Sequence, residues 1–169
     1  IEDQGYCIIS TRLPDGASQP RVLAVIDKLD KVLNNTPGIS SRVVLGGLSV
    51  LDGANLTNTV TTFVGFDDWK TRGKKLDQAH LIDNLKESLS HISEARFLVL
   101  SPPAIQGLGA SGGFQLLVED KQGKGLDKLE KATQEVLRIA GAQADIALAV
   151  TTFNNKSPQL FLDLDRTKV

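Results

Sequence analysis

Methionine is missing from this chain altogether, and cysteine occurs once, at Cys7. A single thiol excludes an internal disulfide and any zinc site built from cysteines. Within a β-branched run, Cys7 reads as a small buried hydrophobe. An excess of either charge is missing too: 19 basic against 20 acidic residues leave a formal net charge of −1. That balance offers no electrostatic footprint for nucleic acid or an anionic membrane. No apolar run approaches the ~20 residues that span a bilayer, so no transmembrane helix is predicted. The chain opens at Ile1 with no signal peptide before its first strand, and reads as a piece of something longer.

Catalytic signatures are scarce as well. Gly107, Gly109 and Gly112 fit G-x-G-x-x-G, but that pattern holds a pyrophosphate only where its last glycine opens a helix. Here Gly113-Phe-Gln-Leu-Leu-Val follows, a strand by composition. Gly123-Lys124 lacks both the upstream glycine and the hydroxyl residue of a P-loop. His80 and His91 fall on one predicted helix, about 16 Å apart along its axis, too far to share a metal ion. Asp67/Asp68 and Asp163/Asp165 are adjacent or alternate in exposed segments, with nothing to separate their pKa values for acid–base work. They read as surface charge, and the chain as a non-enzyme with no cofactor and no metal.

What is present is a regular alternation of elements. Gly5–Arg12 reads as a strand ended by Leu13-Pro-Asp-Gly. Ser18 and Pro20 then open a helix whose apolar Val22, Leu23, Val25, Ile26, Leu29, Val32 and Leu33 make one stripe, stopped at Pro37-Gly38. Ser41–Gly47 is a second strand, Leu48–Asn58 a connection longer than a hairpin needs, and Val60–Phe66 a third strand. The basic run Lys70–Lys75 reads as a solvated connection. Asp77 caps a helix running to Ile92, and Ala95–Leu100 is the fourth strand. Strand, helix, strand, strand, helix, strand is the split βαβ, ferredoxin-like order (βαββαβ), with both helices on one face of an antiparallel sheet.

After the proline- and glycine-rich loop Ser101–Gly113 the series restarts. Gly113–Glu119 is a predicted strand, Leu126–Ala140 a helix, Ile146–Phe153 a strand, and Gln159–Asp165 a strand with alternating leucines. The fold class is thus α+β: a βαββαβ subdomain over residues 1–104 and an incomplete βαββ second unit over residues 105–169. The incomplete unit is expected to leave a sheet edge and an apolar face uncovered.

Six motifs stand in order along the chain. They are Glu2-Asp-Gln-Gly-Tyr6, Arg12-Leu-Pro-Asp-Gly-Ala-Ser18, Val44-Leu-Gly-Gly-Leu-Ser49, Phe66-Asp-Asp-Trp-Lys70, Pro102-Pro-Ala-Ile-Gln-Gly-Leu-Gly109 with Gly112-Gly-Phe114, and Pro158-Gln-Leu-Phe-Leu-Asp-Leu-Asp-Arg166. Together they resemble the periplasmic porter region of the resistance-nodulation-division (RND) multidrug efflux pumps of Gram-negative bacteria, acriflavine-resistance type, in the C-terminal half. The resemblance implies a proton-driven homotrimer in the inner membrane, working with a periplasmic adaptor and an outer-membrane channel. It further implies amphiphilic small molecules as substrates, captured in a cleft between subdomains.

Carried over position by position, Leu48, Ser49, Val50, Leu51, Asp52, Gly53, Ala54 and Asn55 match the family's switch loop. Leu48, Val50, Leu98, Leu100, Pro102, Gln106 and Leu108 match substrate-binding positions, and Gly107, Gly109, Gly112 and Gly113 read as a hinge. In the best-known members several pocket positions are phenylalanine. Here Leu48, Val50, Leu98 and Leu100 imply an aliphatic, less discriminating pocket. Leu98 and Leu100 read equally as strand core. Two other classes stay open on the residues alone. One is a free-standing ferredoxin-like ligand-binding or oligomerisation module. The other is an acylphosphatase-type hydrolase, for which Arg12 and Arg21 are present but Pro14-Asp15-Gly16 supplies acid where phosphate would bind.

Overall fold

The computed structural model describes residues 3–103, 113–146 and 148–155. The chain divides into two compact units, Ile1–Phe114 and Gln115–Val169. In the first, β1 (Tyr6–Arg12), α1 (Gln19–Asn34), β2 (Ile39–Ser49), β3 (Ala54–Phe66), α2 (Trp69–Arg72), α3 (Gln78–Ser90) and β4 (Arg96–Leu100) follow in sequence, with a single 3-10 turn at Lys74–Leu76 before α3. The four strands form one sheet in the order β2-β3-β1-β4, antiparallel throughout.

Both helices cover one face of this sheet because each carries a single apolar stripe. Val22, Val25, Leu29 and Leu33 of α1 are buried, as are Leu81, Ile82, Leu85 and Leu89 of α3. They meet Cys7 and Ile9 of β1, Val60, Val64 and Phe66 of β3 and Val99 of β4 in the core. Each fully buried leucine contributes about 1.5–3 kcal/mol through its removal from water. Leu23, expected in the stripe, is 54% exposed on the outer side of α1. The helix starts follow local chemistry: Pro20 occupies the first turn of α1, and the Asp77 carboxylate accepts the His80 N–H at 2.9 Å to cap α3.

Three expectations are corrected. The long connection over Leu48–Asn58 is a tight turn, Val50–Gly53, between β2 and β3. Asn58 lies inside β3 because its amide donates to Leu13 O at 2.9 Å and to Asp15 Oδ1 at 3.0 Å, while its carbonyl accepts the Leu13 N–H. These bonds hold a polar stretch in strand geometry that composition alone does not favour. Second, Lys70–Lys75 is not simply a solvated connection, since Trp69–Arg72 is helical and Arg72 is buried.

The third correction concerns the second unit, where only α4 (Leu126–Gly141) is regular among the described residues. The described residues of the strands expected at Gly113–Glu119 and Ile146–Phe153 are irregular and belong to no sheet. A strand persists only where a neighbour takes up its backbone groups. The carboxylate of Asp120 holds the loop before α4 by accepting the N–H groups of Gln122 and Gly125. No residue of α4 is buried. The strand expected at Gln159–Asp165, and Gln106, Gly107, Leu108, Gly109 and Gly112, lie outside the described residues.

Candidate functional site

Sheet register decides which predicted residues meet. Cys7, Ile9, Val64 and Val99 face the helices, so their strand neighbours face the other way. Leu100, Ile8, Phe63 and Val43 pair in one row across all four strands. They form an apolar band on the helix-free face. The adjacent row, Leu98, Ser10, Thr61 and Leu45, is polar at its centre and leucine at both edges. Leu98 and Leu100 are therefore neighbours on this face, both half-buried. Pro102, just beyond β4, is fully buried.

The hairpin tip folds onto the same face. Thr61 is wholly buried, and its hydroxyl donates to Leu48 O at 2.7 Å while accepting the Val50 N–H at 3.3 Å. Ser49 is also buried; its hydroxyl donates to Asp52 Oδ2 at 2.5 Å and accepts the Asp52 N–H at 3.2 Å. Arg12 of β1 reaches the Asp52 carboxylate at 3.7 Å. Gly47 and Gly53 bracket the tip with φ of +82° and +61°, a conformation that a side chain disfavours. The structure thus joins Leu48, Ser49, Val50, Asp52 and Gly53 to the row that ends at Leu98.

Two features escaped sequence reasoning. Phe63 supplies an aromatic ring in the apolar band. Its β3 alternation was visible, but the face it serves is fixed only by pairing with Ile8 and Val43. The other is Arg72, whose side chain is 1% exposed and which bonds the Asp3 carboxylate, the Asp67 and Leu76 carbonyls and the face of Phe66. Burial pushes the Asp3 carboxyl up, but hydrogen bonds from Arg72, the Gly5 N–H, Trp69 and the Gln78 N–H outweigh it and bring the pKa down to about 2. Burial alone pushes the Cys7 thiol up to about 12.

The candidate face is open only toward β2, where Val43 and Leu45 are exposed; Phe63, Leu98 and Leu100 are half-buried, and Ile8 and Thr61 at its centre are buried. A hollow of about 220 Å³ lies instead beside α1, lined by Leu13, Arg21, Ala24, Val25, Lys28 and Glu94, none of them a predicted substrate-binding position. Arg21 there stands beside the Lys28–Glu94 ion pair. Among the described residues there is no cluster of three or more His, Cys, Asp or Glu able to hold a metal ion. Nor is any helix among them long and apolar enough to cross a membrane.

The face combines apolar side chains with a few hydroxyls and one ion pair, and the chain that builds it has curated relatives. It is 26% identical to the solvent-resistant pump membrane transporter SrpB of Pseudomonas putida over 99% of its own length. It is 27% identical to the multidrug/solvent efflux pump membrane transporter MepB of Pseudomonas putida over 97%, and 29% identical to the multidrug export protein AcrF of Escherichia coli strain K12 over 99%. In each case it spans 16% of the relative's length. These proteins are transporters, not enzymes. With the family's sequence profile matched from residue 1 to residue 169, the chain belongs to the AcrB/AcrD/AcrF family of RND efflux transporters.

Proposed function

We propose that this chain is the periplasmic substrate-capture region of a proton-driven RND exporter, and that amphiphilic drugs or solvents bind against the helix-free face of its sheet. The observation that carries the reading is the cross-strand band Leu100–Ile8–Phe63–Val43 with the hairpin tip folded beside it. An apolar band next to hydroxyls and one ion pair matches the two ends of an amphiphile. The solvent and drug pumps among its relatives support the same substrate class.

The strand order and two-helix layer support a ferredoxin-like assignment for residues 1–104, the first porter subdomain, with residues 105–169 opening the second. Gly107, Gly109, Gly112 and Gly113 act as the hinge between subdomains. The family resemblance assigns Gln106 and Leu108, with Leu98, Leu100 and Pro102, to substrate binding. Gly113 itself has φ +123°, which suits a pivot. The full-length protein works as an inner-membrane homotrimer with a periplasmic adaptor and an outer-membrane channel.

The test is drug susceptibility of a pump-deficient Gram-negative host expressing the full-length transporter. Bulky polar residues at Leu100 or Gln106 lower resistance to large amphiphiles more than to small ones. Unchanged susceptibility across the panel, at equal expression, would contradict the assigned face.

A further inference from the structure

We infer that the hollow beside α1 is a second ligand site, in the helix layer rather than on the helix-free face, and that it takes a small organic carboxylate. The anionic head binds Arg21 and a short aliphatic body lies against Leu13 and Val25. The inference stands apart from the functional reading above. Arg21, Ala24, Val25 and Lys28 line the hollow from one face of α1, at the three- and four-residue spacing that makes side chains neighbours on a helix. Its floor is fixed before any ligand arrives. Leu13 and Val25 are buried, and Leu13 is pinned through both backbone groups: its N–H donates to Asn58 O at 2.9 Å and its carbonyl accepts the Asn58 amide at 2.9 Å. Ala24 adds only a methyl group to the wall, which keeps the hollow open.

Charge selects the occupant. Lys28 is engaged with Glu94, whose carboxyl is held below its ordinary range first by the hydrogen bond from Lys28 and, at longer range, by the charge of Arg21. Arg21 itself makes no hydrogen bond or ion pair among the described residues. The lining thus holds two cations and one anion, and the surplus positive charge sits on a planar guanidinium, whose fork matches a carboxylate. An apolar floor beside that guanidinium fits a monoanion with a hydrocarbon body. A neutral analogue forfeits the head contact, and a cation meets repulsion. Size limits the body: about 220 Å³ is below the roughly 300–1,000 Å³ of sites for drug-sized ligands, so a molecule of the octanoate class fits where a large dye does not.

The experiment measures equilibrium binding of radiolabelled octanoate to the purified full-length transporter in lipid nanodiscs, with binding to empty nanodiscs subtracted. Arg21→Gln weakens it about tenfold, the scale of one charge-assisted hydrogen bond, and octanamide competes about tenfold less well than octanoate. Ala24→Phe, which fills the hollow and leaves every charge in place, abolishes saturable binding. Added salt narrows the gap between the parent and Arg21→Gln. Arg21→Glu tests the site in the opposite direction, since the reversed lining takes octylammonium in preference to octanoate. Arg21 and Ala24 are exposed, outside the buried stripe of α1, so these variants keep the fold, and the unfolding midpoint of each checks it. Absence of saturable binding to the parent would overturn the site. So would equal affinity in the parent, Arg21→Gln and Ala24→Phe, which would place octanoate elsewhere on the transporter.

Discussion

The Arg72 guanidinium grips the Asp3 carboxylate through both terminal nitrogens, each at 3.1 Å, across 69 residues of sequence. Its Nε donates to Asp67 O at 2.6 Å, and its Nη1 also donates to Leu76 O at 2.9 Å. Asp3 in turn accepts the N–H groups of Gly5 and Gln78 at 2.9 Å. One fork thereby ties the segment entering β1 to α2 and to the start of α3.

Replacing Arg72 breaks this knot and leaves the Asp3 carboxylate and two carbonyls without their donor. Arg72→Ala is expected to cost about 3 kcal/mol in chemical unfolding, the lower end for splitting a buried pair. Arg72→Lys recovers little, because an ammonium cannot make the planar, multiply bonded contact. Parent-like stability in Arg72→Lys would show that charge alone suffices.

The same pair gives the fold an acid-sensitive component. Asp3 has a folded pKa of about 2, below the ordinary 3.8. Its stabilising contribution is therefore complete above the unfolded value and lost as pH falls from about 4 toward 2. For a carboxylate still partly in contact with water, the loss is about 1–2 kcal/mol. Asp3→Asn flattens the stability profile in that window, and an unchanged slope would remove Asp3 as its source.

Thr11 and Thr62 are wholly buried on the helix side of the sheet, and their hydroxyl oxygens have no hydrogen-bond partner among the described residues. A buried, unsatisfied hydroxyl is a net cost, so Thr62→Val or Thr11→Val is expected to stabilise the fold by roughly 1 kcal/mol. A lowered melting temperature in both variants would reveal a partner for those oxygens.

Cys7 is buried and its thiol is pushed up to about 12 by desolvation. Alkylation by iodoacetamide at pH 8 should proceed only after unfolding, since the thiolate is the reacting form. Rapid modification of the native protein would indicate that β1 opens locally.

Much of the first unit was legible because its signals are local and agree with one another. Leu29 and Leu33, or Leu81 and Leu85, announce a helix stripe through spacing alone, and the strand-helix order then restricts the sheet to few arrangements. The hairpin was hidden because Asn58 becomes strand only through Leu13 and Asp15, more than forty residues away in the chain. Arg72 was hidden for the same reason: nothing in Lys70–Lys75 separates the buried Arg72 from the exposed Lys70 and Lys75 until Asp3 is placed beside it. At the candidate site, Leu98 and Leu100 were found through family resemblance. Phe63 was not, because the side of a strand that a residue serves is a property of register, and Phe63 lies between core-facing Val64 and buried Thr62, the partner of Ile9.

The account stands on the claim that amphiphiles bind the helix-free face. Its most direct test is the equilibrium affinity of purified full-length transporter for a large amphiphilic dye. Leu100→Asn and Phe63→Ala are compared with Leu23→Asn, which alters an exposed residue on the outer side of α1. Truncating or polarising a central apolar contact typically costs 1–2 kcal/mol, so the two face variants should weaken the dye about five- to thirtyfold while Leu23→Asn leaves it unchanged. Parent affinity in both face variants would contradict the account.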